Sequence, residues 1–138
     1  YKALQQQFIK RKVEKRYVAL LDGLLPQKKG YINLPLRGDL YDRPRQIVCY
    51  EHGKGARTRY EVIAEEDGRT RVHFYPTTGR THQLRVHAAH PDGLDTPIVG
   101  DDLYGTVEQR LCLHAAYLKF WHPGRQEWLE LVAKTDAF

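Results

Sequence analysis

The chain has 138 residues, 41% of them apolar and 28% charged, with a formal net charge of +5. That is one domain's worth of ordinary globular composition, enough to bury a core, and it excludes a disordered polymer. No apolar run reaches membrane-spanning length, no charged-then-apolar leader opens the chain, and the basic excess is compatible with a polyanionic partner without demanding one.

The opening segment, residues 1–12, consists of good helix formers with Leu4 and Phe8 on one face and Tyr1 a turn above them. It has neither an N-cap nor an initiator Met, so it reads as a piece that starts inside a helix. Residues 15–22 follow as a strand ending at Gly23, and residues 30–36 as a short strand closed near Pro35. A polar loop with Gly38, Asp39, Asp42 and Pro44 leads into a short strand over 47–50. Residues 60–64 and 71–75 predict a hairpin, because Asp67-Gly68 supplies the positive φ that a tight turn requires. In its second strand Val72 and Phe74 share one face, and Arg71, His73 and Tyr75 the other. Thr81 to His90 reads as a short helix, with Thr81 as its cap and Pro91 as its stop. Residues 91–106, rich in Pro, Gly and Asp, read as loop, and 111–122 and 127–133 as two strands about a Pro123-Gly124 turn. Many strands and few helices without β–α alternation give an α+β fold with a mainly antiparallel sheet. The two cysteines, Cys49 and Cys112, are far apart, which points to small buried groups in a reducing cytoplasm instead of a disulfide.

The chemistry concentrates in Thr78-Gly79-Arg80-Thr81-His82-Gln83-Leu84-Arg85-Val86-His87. Two Arg and two His gather where a helix begins, and free N–H groups with guanidinium donors suit a phosphate or carboxylate. A solvated polar face with ordinary ion pairs accounts for the same residue types equally well. His82, His87 and His90 raise a metal site, but their spacing matches no zinc motif and no Cys or carboxylate joins them, so no metal is expected. The basic run Lys10-Arg11-Lys12 with Lys15-Arg16 fits RNA phosphates or a solvated face.

The same string resembles the Gly-Arg-Thr-His-Gln-(Ile/Leu)-Arg-Val-His signature of the ribosomal large subunit type of pseudouridine synthases, the RluA family. Residues 97–105 (Pro-Ile-Val-Gly-Asp-Asp-Leu-Tyr-Gly) and 111–115 (Leu-Cys-Leu-His-Ala) look like the next motifs of that family. Lys15-Arg16-Tyr17-Val18-Ala19 with Gly23 is similar to its Lys-x-Tyr-x-Ala-x-x-x-Gly element. The stretches 48–54 and 58–62 look closest to the dual-specificity member acting on rRNA and tRNA.

The resemblance implies that the whole chain, 1–138, is the C-terminal portion of a pseudouridine synthase catalytic domain. It implies a monomer that acts on structured RNA, rRNA or tRNA, with no metal, no organic cofactor and no membrane. Tyr17 matches the tyrosine that stacks on the target uracil and assists proton removal from C5. Arg85 matches the arginine that pairs with the catalytic aspartate, Leu113 lies in the motif that walls the base, and Arg80 and His82 are expected on the RNA backbone. One element departs from the pattern. The family nucleophile is an Asp in His-Arg-Leu-Asp-x-x-(Thr/Ser)-Ser-Gly ahead of the tyrosine element, whereas the first Asp here is Asp22, beyond Tyr17. The expectation is that the nucleophile lies outside this chain, that the chain alone is inactive, and that Tyr17, Arg85 and Leu113 converge on one cleft. The competing expectation is a non-catalytic RNA-binding module.

Overall fold

The computed structural model describes residues 14–122 and 125–132. The expected helix over 1–12, its basic run and the Pro123-Gly124 turn lie outside the described residues. The centre is a six-stranded sheet in which every neighbouring pair is antiparallel, as expected of the fold class. Its strands are β1 (Glu14–Leu21), β2 (Lys29–Asn33), β5 (Arg57–Glu66), β6 (Arg69–Pro76), β7 (Leu113–His122) and β8 (Glu127–Val132). They lie in the order β2-β5-β6-β1-β7-β8. A small second sheet pairs β3 (Leu36–Gly38) with β4 (Gln46–Val48), and the one helix among the described residues is α1 (Gln83–Ala89).

Local chemistry accounts for the hairpin β5–β6. Asp67 and Gly68 take φ of 52° and 78°, the left-handed pair that matches the twist of the flanking strands. Alternation along β6 then buries Thr70, Val72, Phe74 and Pro76 and leaves Arg69, Arg71, His73 and Tyr75 half-exposed on the other face. The buried face meets Ala19 and Leu21 of β1, Tyr60 of β5, Ile32 of β2, and Leu84 and Ala88 of α1 in one core. Phe74 and Leu21 are fully enclosed there.

Two expectations need correction, on the strand over 30–36 and on Cys49, and one segment does more than expected. The strand expected over 30–36 breaks into β2 and β3, because Pro35 has no N–H for a ladder and the chain passes to the second sheet at Leu34-Pro35. The segment 91–106 contains no helix or strand, as expected, and yet it contributes to the core. Ile98 and Val99 are buried, Ile98 bridges Leu21, and Val99 exchanges backbone hydrogen bonds with Leu20 and Cys112. Gly100 makes this route possible: its φ is 82°, and a Cβ there would stand 1.8 Å from the Arg110 carbonyl oxygen. Cys112 is buried as expected and both thiols are free, but Cys49 is only half-buried.

Candidate functional site

A cleft of about 500 Å³ opens where β1 and β7 meet the segment that leads into α1. Tyr17 and Lys15 enter it from β1, Leu113, Ala115, Tyr117 and Leu118 from β7, and Arg80, His82 and Arg85 from the third side. All five residues singled out in the sequence therefore border one space, although β1 and β7 are far apart in the chain. The sheet brings them together: Tyr17 lies opposite Ala115, and Ala19 opposite Leu113. The β1–β7 ladder shifts register between Arg16 and Tyr17, so Ala116 is the extra residue of a bulge. Bulges re-aim neighbouring side chains, and this one lies beside Tyr17 at the cleft floor. Tyr17 and Leu113 are half-buried and also pack on the core, so the cleft floor is rigid.

The segment Thr78–His82 is tied down by a buried polar chain that the sequence reading missed. Thr78 donates its hydroxyl to Gln83 Oε1 (2.6 Å), which also accepts from the Arg80 N–H (3.1 Å). Gln83 Nε2 donates to the Arg57 carbonyl (3.0 Å) and to Thr58 Oγ1 (2.9 Å). With that lone pair occupied, the Thr58 hydroxyl hydrogen goes to His87 Nδ1 (2.9 Å), and His87 Nε2–H donates to the Leu34 carbonyl (3.0 Å). Both ends of Gln83 and both ring nitrogens of His87 are thus satisfied inside the protein, which removes His87 from any metal site. No cluster of metal-binding side chains occurs among the described residues. Burial lowers the His87 pKa, and the neutral ring is the form this chain of bonds requires.

The helix differs from its expected start. It begins at Gln83, with His82 at the capping position in a left-handed conformation (φ 55°) and no side-chain cap. Thr81 is exposed and does not cap; Gln83, by accepting from the Arg80 N–H, closes the turn instead. The α1 helix is only seven residues long, so the cations at its start rest on specific partners more than on a dipole. Arg80 is exposed and anchors its Nε on the Gly55 carbonyl (3.0 Å).

Arg85 is the most constrained cation of the cleft. Its Nε donates to Asp101 Oδ2 (3.1 Å) and its Nη2 to Asp101 Oδ1 (2.6 Å) and Asp102 Oδ1 (3.0 Å). Asp101, fully buried, also accepts from the backbone N–H groups of Leu103 and Tyr104. Burial by itself would raise the Asp101 pKa, but the Arg85 hydrogen bonds and these two N–H groups carry it below the ordinary carboxylate range. The Asp101 hydrogen bond heads the causes that raise the Arg85 pKa. Asp101 and Asp102 fell in the sequence within the 91–106 loop; their place in the motif 97–105, a short loop after an Arg-bearing helix, was the available signal. The Nη1 edge of Arg85 carries no hydrogen bond among the described residues.

Tyr104 fixes the state of His82. Its hydroxyl accepts from the Gln46 N–H (2.8 Å), so its own hydrogen goes to His82 Nδ1 (2.8 Å). Burial and then the Arg85 charge lower the His82 pKa, against the pull of Asp101 and Asp102. The neutral ring therefore carries its proton on Nε2 and offers a donor. Lys15 contributes an ammonium whose pKa is lowered by burial, with Nζ 3.4 Å from the Thr78 carbonyl.

Comparison with known proteins was made against this geometry. The family model for RNA pseudouridylate synthase matches residues 1–90. The chain is 48% identical over 135 residues to the dual-specificity RNA pseudouridine synthase RluA of Vibrio cholerae, covering 94% of this chain and 54% of that protein. Its counterpart in Pasteurella multocida is 46% identical over 136 residues, covering 94% of this chain and 61% of that protein. Among solved structures, human RNA pseudouridylate synthase domain containing 1 superposes with a TM-score of 0.83 at 30% identity. The match covers 96% of this chain and 59% of the human one, so the chain spans a little over half the length of the relatives it matches. A family model matched over the majority of its residues, on a sheet shared with a solved member, shows that the chain belongs to the RNA pseudouridylate synthase family.

Proposed function

We propose that the protein carrying this chain isomerises specific uridines to pseudouridine in structured RNA, rRNA or tRNA, as a cytoplasmic monomer. In this reading residues 1–138 are the C-terminal portion of its catalytic domain. The observation that carries the reading is the single cleft bordered by Tyr17, Leu113, His82 and Arg85. Its floor offers a phenol ring and a leucine, which suit the two faces of a flat, weakly polar base, and its wall offers N–H donors for carbonyl or phosphate oxygens. A uridine reaches such a cleft only when turned out of its helix.

The steps follow from what each group offers. Tyr17 stacks on the uracil, and its hydroxyl is the group available to take part in proton removal from C5. Leu113 walls the base. Arg85, clamped by Asp101 and Asp102, presents its remaining Nη1 edge to the nucleophilic carboxylate of the family, which this chain's motifs do not include. A carboxylate so paired stays ionised and oriented. It adds to the nucleotide and the glycosidic N1–C1′ bond breaks; the uracil turns, C5 bonds to C1′ and the carboxylate is released, and the C5 proton is lost as N1 takes one up, so that no atom is gained or lost overall. Arg80 and His82 meet the RNA backbone at the cleft mouth.

The test compares pseudouridine maps of rRNA and tRNA from wild-type cells and from cells lacking the gene, together with tritium release by the purified full-length protein from RNA labelled at uridine C5. Sites that vanish on deletion, with release by the pure protein, are the expected outcome. RNA binding without either would establish the non-catalytic module instead.

A further inference from the structure

The face of the sheet turned away from the core carries a row of side chains that the reaction does not use. Tyr31 of β2 lies directly opposite Arg59 of β5, and Arg59 opposite Tyr75 of β6. One residue along from the Tyr17–Phe74 pair the row reaches Arg16 of β1, which lies opposite Tyr117 of β7. Directly opposed residues of antiparallel strands share a face, so tyrosine and arginine alternate across five adjacent strands. Arginine–tyrosine contacts run along it, with Arg57, two residues before Arg59 on β5, meeting Tyr31. The Arg59 guanidinium carbon is 3.8 Å from the Tyr75 ring centroid, that of Arg16 is 5.3 Å from Tyr117, and that of Arg57 is 4.2 Å from Tyr31.

The members of the row from Arg59 to Tyr117, together with Arg57, line a groove of about 550 Å³ that shares Lys15, Pro76 and Tyr117 with the cleft. Its charges are unequal. Arg59 is neutralised by Glu61 (2.5 Å), so its plane is a stacking surface more than an anion ligand. Arg16 and Arg57 have no carboxylate partner among the described residues, and the Nε of Arg16 is buried there without an acceptor. Glu14 is the acidic side chain of the groove wall. Planar groups at the spacing of strands, roughly 4.8 Å, flanked by uncommitted guanidinium groups, suit unpaired bases joined by phosphates.

We infer that this tyrosine–arginine row is a second RNA subsite, which stacks an unpaired nucleotide adjoining the flipped one and holds its phosphate between Arg16 and Arg57. The inference rests on the function proposed above, because the shared wall of Lys15, Pro76 and Tyr117 makes the groove the next stop for a strand whose uridine occupies the cleft.

The test measures affinity of the full-length protein for the uridine stem-loop found by mapping, and for an oligouridylate probe, across a salt series. Arg16→Gln and Arg57→Gln each lower the slope of log affinity against log salt by about one, as removal of one phosphate contact does. Tyr75→Ala weakens binding on the order of tenfold, and Tyr75→Phe, which keeps the ring, restores it. Making one neighbour of the target uridine abasic weakens wild-type binding in the stem-loop and has no further effect on Tyr75→Ala. Lys28→Gln, a cation near the other end of β5, leaves the salt slope alone. Folded variants with wild-type affinity and slope on both probes would overturn the subsite. Tritium release by the wild-type protein separates the two readings: turnover without groove coupling removes only the subsite, and groove coupling without turnover removes only the enzyme.

Discussion

Replacing Asp101 isolates what holds Arg85 in the cleft wall. Asn has the same shape, and its amide oxygen can keep the position of Oδ1, which accepts from Arg85 Nη2 and the N–H groups of Leu103 and Tyr104. Its NH2 then faces Arg85 Nε, donor against donor, where Asp101 Oδ2 accepted at 3.1 Å. One charge-assisted hydrogen bond and the ion pair are lost, while Arg85, whose side chain is only 16% exposed, keeps its charge. We expect Asp101→Asn to cost about 2–3 kcal/mol, and Asp101→Ala, which strands the two backbone N–H groups as well, about 3–5 kcal/mol. For a domain of this size that corresponds to a fall in Tm of roughly 8–12 °C for the Asn variant. Urea unfolding of the full-length protein gives the free energy directly, with the midpoint moving at constant slope. Because the native Asp101 pKa is depressed, the pair stabilises above the ordinary carboxylate value of 3.8 and its contribution fades as pH falls through the lower native value. The wild-type advantage over Asp101→Asn should therefore persist at neutral pH and shrink only in strong acid. A neutral-pH difference within about 0.5 kcal/mol of zero would refute the reasoning, since that is the range of an uninvolved surface change.

The other predictions concern the cleft and the buried chain behind it. Tyr17→Phe keeps the ring and should retain RNA affinity while slowing tritium release on the order of 10²-fold or more, whereas Tyr17→Ala should also lose affinity, both readable by single-turnover assay with a binding titration. Thr58→Val removes the hydroxyl between Gln83 and His87 and should destabilise by about 1–3 kcal/mol in urea unfolding, because it leaves a buried donor and a buried acceptor without partners. Tyr104→Phe strips the donor from His82 Nδ1 and should change the ring's nitrogen shifts, the NMR signature of its tautomer.

His87 adds a pH dependence of the same sense as Asp101, but in a window nearer neutrality. Its pKa is depressed in the folded state by burial, so the unfolded chain binds the proton more readily between that lower value and the ordinary imidazole value of 6.5. Stability from the neutral ring is complete above about 6.5 and declines as pH falls below it. His73 and His82 are also depressed and contribute in the same direction, so the His87 share is the part of the acid slope that disappears in His87→Leu.

Much of this was legible because local chemistry and global fold agree. The β5–β6 hairpin could be read from Asp67-Gly68 and the alternation of Val72 and Phe74, since a two-residue turn and a two-residue period leave little freedom. The cleft residues Tyr17, Arg80, His82, Arg85 and Leu113 could be read from motif resemblance, but nothing in their separation along the chain says that a sheet would set β7 beside β1. The 91–106 segment is the loop that its Pro, Gly and Asp content describes, while its burial, from Ile98 and Val99 docking on Leu20 and Leu21, is a tertiary contact that composition does not carry. The start of α1 misled because Thr81 is a good cap by type, whereas the closing acceptor is a glutamine three residues beyond Arg80.

The segment 78–87 shows how one short string can serve both the surface and the interior. Gln83 and His87 are four apart, so they share a helix face, and that face is turned into the protein, where they join β5 and Leu34, the residue before the strand-breaking Pro35. Arg85 projects between them toward the cleft, and Arg80 and His82 precede the helix, freed from its periodicity by the left-handed turn at His82. A phosphate-binding reading of the whole string therefore assigns too much to RNA. Two of its polar residues have every hydrogen-bonding site of their amide or ring used internally, and their contribution is to hold the other three in register with Tyr17. This division also predicts the pattern of damage: a change at Gln83 or His87 should lower stability first and activity as a consequence, whereas a change at Arg80 should weaken RNA binding in a protein that unfolds at the wild-type midpoint.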